Sequence, residues 1–392
     1  MPSNALLPEH AGLIITRGMQ EWACLLPGEL AFSTAARRLG WQCGEEKVLS
    51  DTTCRNLVRE HGGMIRAAEA AEVEQLWERR DFLELKPHLV EQPTRRLRAS
   101  WPEELNAAIE KELAEESPQP PEGVKGCDWE RVLERHRQHP NSSNETLRHL
   151  GPEVAVDEIL VTADEVLTRK AEIQGFWELR TACVRTNTGI RYLSGTGDSF
   201  VQQLFMLMLL LGMGRHRSLL FLVDGARWLR NFFADYCAEA AHTQMILDWY
   251  HLRKKGYQLA SMICNGKLAK GKFLATLSYH LWRGNVPVAL LFLQNYRNQA
   301  KNLEKLEELI AYLQARQPFL PDYQARRRQQ QYIGSGHVEK ANDLLVARRQ
   351  KHQGMHWSLD TSDSLAALKT LMLNQGWDLY WTQRQVLPLV AP

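Results

Sequence analysis

The chain has 392 residues, enough for two or three domains, and a formal net charge of only +2, so overall charge carries no case for a nucleic-acid or acidic partner. Its seven cysteines are odd in number, scattered and without a C-x-x-C pair, which argues against a zinc site or a disulfide framework and fits a reducing cytosol. The most apolar run, Leu204 to Met213, is about half of a membrane span, and the first residues lack the basic start and apolar core of a secretory signal.

Residues from about 10 to 100 read as helices. Phe32 to Gly40 forms a short helix ending at glycine, and Leu49 to Gly62 begins with capping residues and again ends at glycine. Two short helices in succession predict a helix-turn-helix, with Thr52, Arg55, Asn56 and Arg59 on the second suited to groove and phosphate contacts. A plain helical hairpin is the alternative. A basic cluster, Thr94 to Arg98, follows, then a Pro-rich acidic linker from Glu115 to Gly126 and a capping-box spacing from Ser142 to Glu145.

From Ile159 the pattern turns strand-like. Ile159–Leu167, Phe176–Val184 and Ile190–Leu193 are separated by polar turns and read as an antiparallel meander, with Asp164 inside the first strand. An apolar helix runs to Met213. Ser218 to Val223 is continuously apolar, as in a strand buried on both faces, and ends at Asp224; Thr243 to Leu247 is a further short strand, ending at Asp248 with His251 beyond. Residues 252–325 are helical in pattern and collect Lys254, Lys255, Lys267, Lys270 and Lys272 early.

Tyr332 to Ser358 then reads Y-I-G-S-G-H-V-E-K-A-N-D-L-L-V-A-R-R-Q-K-H-Q-G-M-H-W-S. The Gly-Ser-Gly turn opens a helix with Glu339 on its first turn; its glycines allow close backbone approach, and the free N–H groups of a helix start favour anions. Leu344, Leu345 and Ala347 supply packing, and Gly354 a stop. Between Asp322 and Lys351 stand seven basic and three acidic residues, among them Arg326, Arg327, Arg328, Arg348 and Arg349, so Glu339 lies in positive surroundings. A carboxylate beside a phosphate-friendly turn suits magnesium-dependent phosphodiester chemistry. The alternative is a surface helix whose Glu339 complements the helix dipole.

With V-T-A-D-E-V at Asp164, F-W-E-L-R in the second strand, L-F-L-V-D-G-A at Asp224, L-D-W-Y-H at Asp248 and the Glu339 stretch, the chain resembles the DDE transposases of bacterial insertion sequences, nearest the Kra-type group and its Mutator-like relatives. The resemblance covers residues from about 155 to 360. It implies an α/β fold: a ribonuclease-H-like catalytic domain (β-β-β-α-β-α-β-α) over 156–251 and 326–360, with a helical insertion at 252–325. An α-helical N-terminal DNA-binding domain over 1–100, a linker with short helices at 101–155 and a C-terminal helix and tail at 361–392 complete the expected organisation. Asp164, Asp224 and Glu339 become the catalytic acids, holding two Mg2+ or Mn2+ ions, with Asp248 and His251 in support; Asp157 is the alternative first acid, and a strand-end cap the alternative role for Asp248. Water attack at the element end would free a 3′-hydroxyl that attacks target DNA. The arginines named above would hold phosphates, a structural pair with an Asp or Glu being the alternative for Arg348 or Arg349, and Trp357 is expected to be buried or, with His356, to stack on a base. The implied partners are double-stranded DNA (terminal inverted repeats and target) and further copies of the chain, with no membrane, in a bacterial cytoplasm near the nucleoid. A DNA-gripping but inactive derivative, or a ribonuclease-H-like nuclease of branched DNA, shares these features. The sequence departs from the family pattern at Glu165, where glycine is expected, and at His337, where an aliphatic residue is usual.

Overall fold

A computed structural model of the chain describes residues 9–10, 13–78, 158–171, 173–213, 217–237, 240, 242–351 and 355–390. Asp157, Gly354, the 94–98 cluster, the 115–126 linker and the 142–145 capping box lie outside the described residues. The centre is a five-stranded mixed sheet of β1 (Glu158–Arg169), β2 (Phe176–Thr186), β3 (Gly189–Gly195), β4 (Ser218–Val223) and β5 (Thr243–Leu247). In space the strands run β3-β2-β1-β4-β5. The meander pairs antiparallel, whereas β4 lies parallel to β1 and β5 parallel to β4. Parallel neighbours need a crossover. Helix α4 (Gly197–Leu210) supplies the first, and α5 (Arg227–Phe232), continuing as a wide turn over Phe233–Cys237, the second.

Alternation along the strands sorts their side chains between two faces. Ile159, Val161 and Ala163 of β1 and Leu219, Phe221 and Val223 of β4 pack with α4 and α5 in one core. Leu160, Leu220, Leu222 and Ile246 point the other way, toward Tyr332. On that second face, farther along the sheet, Val166, Leu179 and Cys183 meet Ala341, Leu345 and Val346 of the helix that carries Glu339. Helices therefore cover both faces of the sheet, as the unbroken apolar run of β4 requires.

Between β5 and the Glu339 helix come α6 (Trp249–Ile263), α7 (Gly266–Trp282), α8 (Val286–Asn295), α9 (Leu303–Arg316) and α10 (Tyr323–Arg328). They share a core of their own, seated on Leu247 and Ile333. Helix α11 (Gly336–Asn342) continues through a wide turn, Asp343–Ala347, to Gln350.

The N-terminal helices α1 (Arg17–Leu25), α2 (Phe32–Cys43) and α3 (Asp51–Glu78) form one core with Trp357 and with α12 (Leu359–Leu373) and α13 (Trp377–Gln383). The C-terminal segment is thus a packing partner of the N-terminal helices. Arg66 ties the arrangement together: its guanidinium donates to Asp363 at 2.9 and 3.1 Å, to Glu69 at 2.8 Å and to Ser194 of β3 at 3.1 Å.

Two glycines read as helix ends are instead sites of close approach. Helix α2 passes Gly40 and stops at Gly44, which takes the left-handed conformation. Helix α3 runs through Gly62 for 28 residues. A Cβ on Gly62 would stand 2.4 Å from Ser364 Cβ and 2.5 Å from its Cα, so a bare backbone is what lets α3 and α12 touch. Gly63 has nothing within 4 Å of its Cβ position. Gly62→Ala should therefore cost ~1–3 kcal/mol through overpacking, while Gly63→Ala should gain ~0.5–1 kcal/mol from helix propensity. Urea denaturation of both variants checks this, and equal effects would remove the close-packing account of α3.

Candidate active site

Register places the aspartates before any side-chain contact is considered. β1 pairs with β4 from Glu158↔Ser218 to Thr162↔Leu222, and β4 pairs with β5 from Leu219↔Thr243 to Val223↔Leu247. Carrying both registers one step past the end of β4 sets Asp164, Asp224 and Asp248 level on three adjacent parallel strands. By alternation all three belong to the face covered by α11. Asp248 N donates to Val223 O at 2.7 Å, which pins the third strand end to the second.

Asp248 is the structural keystone of this edge. It is 1% exposed. Its Oδ1 accepts the N–H groups of Tyr250 (2.6 Å) and His251 (3.0 Å), capping α6. Its Oδ2 accepts the N–H and the hydroxyl of Ser335, both at 2.5 Å. Burial alone would raise this carboxyl, but contacts from His251 and Ser335 hold it below its ordinary range. The Gly-Ser-Gly turn is thereby fastened to the end of β5, and Ile333 O accepts Trp249 N–H at 2.9 Å beside it. A Cβ on Gly334 would stand 2.6 Å from the Tyr250 ring, so a larger residue there would force that ring aside.

That anchorage delivers α11 over the sheet. Glu339, 57% exposed, brings Oε1 to 3.7 Å from His251 Nε2, and His251 Nδ1 lies 3.6 Å from Asp248 Oδ2. At these separations both are charge contacts and not hydrogen bonds. Together with Asp224 they hold the imidazole above its usual pKa, the Asp248 carboxylate contributing most and burial opposing. One helical turn beyond Glu339, Asn342 donates Nδ2 to Asp164 Oδ2 at 2.5 Å and accepts the Thr181 hydroxyl at its Oδ1. Thr181 is the cross-strand partner of Asp164, so one amide grips both strands of the β1–β2 pair. The other Asp164 oxygen accepts the Glu165 N–H at 2.7 Å.

The Asp164 carboxyl is pushed up to about 6, by burial first and also by the negative charges of Asp224 and Glu339. Asp224, Glu339 and His251 are near enough for their charges to act on the Asp164 carboxyl. Among the described residues, no three His, Cys, Asp or Glu side chains are already grouped to hold a metal ion. The acids share one field without meeting at a point. Asp224 closes a tight turn, its Oδ1 accepting Ala226 N–H at 2.8 Å, and Gly225 follows with φ of 92°. Arg316 from α9 reaches this turn, Nη2 to Gly225 O at 3.4 Å. The helices inserted after β5 thus touch the acidic edge.

The two departures from the family pattern have local environments of their own. His337 sits against the Tyr332 ring at 5.6 Å; burial first, then Arg185, pushes its pKa down to about 4, so it packs as a neutral ring. Glu165 is raised by burial and by Glu178, Asp224 and Asp164.

The residues expected on DNA divide. Thr52 and Asn56 are exposed on the first turns of α3, and Arg327 and Arg328 are exposed on α10. Arg55 is partly exposed, 3.7 Å from Asp51 and over the Phe32 ring. Arg348 is 60% exposed, with Glu29 at 3.8 Å. Arg326 donates to Tyr332 O at 2.9 Å. Two of these arginines are engaged within the protein. Arg59 is committed to the start of α12, donating to Thr361 Oγ1 at 2.7 Å and Ser358 Oγ at 3.0 Å with Asp360 at 3.2 Å. Arg349 is 1% exposed; it donates to Pro27 O at 2.7 Å and lies over the Trp357 ring, so it joins α11 to the N-terminal helices and presents nothing to a phosphate. Trp357 is buried at 2%, its backbone pairing with the end of β1, while His356 is exposed.

Sequence reading missed Asn342, Ser335 and Thr181. The only signal for Asn342 was its spacing, three residues after Glu339 and so on the same helix face. No protein-family model matches the chain, and no curated protein matches its sequence.

Because the Asp164 pKa is raised, its charge costs stability above about pH 6, and that cost is relieved as pH falls toward ~4, its unfolded value. Asp164→Asn should raise the stability of the metal-free protein by ~1–2 kcal/mol near pH 8, after allowance for screening, and by nothing near pH 4. Asp248→Asn has the opposite sign. Its depressed pKa contributes stability at neutral pH that is lost only in acid, so this variant should lose ~1–3 kcal/mol near pH 7 by leaving Ser335 donors unpaired. Thermal melts across this pH range check both; destabilisation by Asp164→Asn near pH 8 would contradict the first.

Proposed function

We propose that the chain is a DDE transposase that cuts and joins DNA through Asp164, Asp224 and Glu339, on a ribonuclease-H-like catalytic domain. The observation that carries this reading is the union of two of these acids at the same level of adjacent parallel strands with a third on a helix fastened over them. The strand order β3-β2-β1-β4-β5, antiparallel in the meander and parallel beyond it, is the arrangement such a domain requires.

Carboxylate oxygens are hard donors, so the set suits Mg2+ or Mn2+ and not a thiolate-seeking metal. The raised Asp164 pKa also fits a cation site, since like charges and burial oppose the very charge that a cation would compensate. Asp164, Asp224 and Glu339 would hold the ions, with the exposed Glu339 side chain drawn inward, because no group of described residues is yet at metal spacing. Two bound ions supply charge for the attacking and leaving oxygens of an in-line displacement. The chain's own work is positioning. Asn342 fixes the rotamer of Asp164, Asp248 fixes the turn from which Glu339 projects, and the His251 ring stands beside Glu339. Exposed basic residues of α10 and Arg348 stand ready for phosphates of duplex DNA. Joining two DNA ends in one complex calls for more than one copy of the chain.

The reading is tested with purified protein, supercoiled plasmid and Mg2+ or Mn2+. Asp224→Asn and Glu339→Gln should each lower nicking by at least ~10²-fold, beyond the ~10–100-fold typical of losing a supporting partner. Nicking that survives either change sinks the assignment. Products in which a donor end is joined to the plasmid separate a transposase from a nuclease that shares the acids, and DNA affinity without nicking in either metal marks an inactive derivative.

A further inference from the structure

The inserted helices carry a charge pattern that the acidic edge does not explain. From Trp249 to Leu303 there are nine Lys or Arg residues and no Asp or Glu. Two of the nine are neutralised from α9, Lys255 by Glu308 and Arg297 by Glu307, both at 2.8 Å. Others face outward. On α6, Tyr250, Lys254, Tyr257 and Ser261 recur at helical spacing and are all exposed, forming one stripe. Helix α7 adds to it: Lys270 donates to Ser261 Oγ at 2.7 Å and places its ammonium 3.5 Å from the centre of the Tyr257 ring. Lys267, one turn earlier on α7, is exposed.

The stripe starts at the acids. Tyr250 packs against Gly334 of the Glu339 turn, and His251 follows it on the same helix. At ~1.5 Å per residue the stripe runs ~16 Å from Tyr250 to Ser261, which matches about five phosphates of one DNA strand at ~3.4 Å per step. We infer that the outer face of α6 and the first turns of α7 form a track for the sugar-phosphate backbone of duplex DNA leading away from the acidic edge. This rests on the proposed DNA chemistry and extends it to a surface of the helical insertion. Ammonium groups interleaved with hydroxyls, with no carboxylate among them, are what a phosphodiester chain needs for contacts that are independent of sequence. An acidic protein would satisfy the charge too, but protein interfaces centre on a buried apolar patch. Here the exposed apolar side chains, Tyr250, Tyr257, Met262 and Leu268, are interleaved along the chain with Lys254, Ser261, Lys267 and Lys270.

The test is salt-dependent binding of the full chain to a random-sequence duplex, followed by fluorescence anisotropy. Combined Lys254→Ala, Lys267→Ala and Lys270→Ala changes should weaken binding and flatten the plot of log affinity against log salt by about 2–3 in slope, near 0.9 per lost phosphate contact. Arginine at the same three positions should keep the slope. If wild type binds the duplex and the alanine variant keeps both affinity and slope, the track is overturned while the proposed chemistry stands. A wild-type chain that ignores duplex DNA but binds polyglutamate through these lysines overturns the track in favour of an acidic protein partner, and takes the DNA reading with it.

Discussion

A single buried carboxylate organises the working edge of this protein. Asp248 ends β5, caps α6 and accepts both donors of Ser335, so the β5–α6 junction and the distant Gly-Ser-Gly turn are fixed relative to one another by one side chain. A buried charge is tolerable only when its oxygens are saturated and positive potential lies close by. Here the N-terminus of α6 supplies the potential, and its N–H groups supply half of the bonds. The Glu339 helix sits where it does because its first turn is bonded to this carboxylate.

Around that anchor the protein gathers like charges, which is unfavourable in itself. Asp164 shows the cost in its raised pKa. The fold sustains it by spreading support across elements distant in sequence. Asn342 holds Asp164 from the opposite layer, and Arg349, Gln350 and Trp357 lock the far end of the same helical stretch to the N-terminal helices, α12 and β1. Helices α1 to α3 are therefore part of the scaffold that holds the acids, whatever the exposed Thr52 and Asn56 also touch. The insertion is likewise more than a decoration, since Arg316 touches the Asp224–Gly225 turn and α6 grows directly out of Asp248.

What the sequence by itself determined is local and periodic. Alternation and unbroken apolar runs marked the five strands of the central sheet within a few residues, because strand patterns reflect which faces are covered, but not the short pairing of Glu9–His10 with Leu13–Ile14. The register that aligns Asp164 with Asp224, set by the pairing of Glu158 with Ser218, belongs to the folded sheet and was not legible in the spacing. The Gly-Ser-Gly turn announced a helix start with Glu339 on it. What only the tertiary structure decided depends on partners hundreds of positions away. Gly62 reads as a stop until Ser364 lies against it, and the burial of Arg349 against Pro27 is invisible until the N-terminal helices are in place. Asn342 reads as an ordinary helix residue until Asp164 faces it. A side chain's type states which bonds it is able to form, but its competition among partners is settled by packing, and packing is a property of the whole chain.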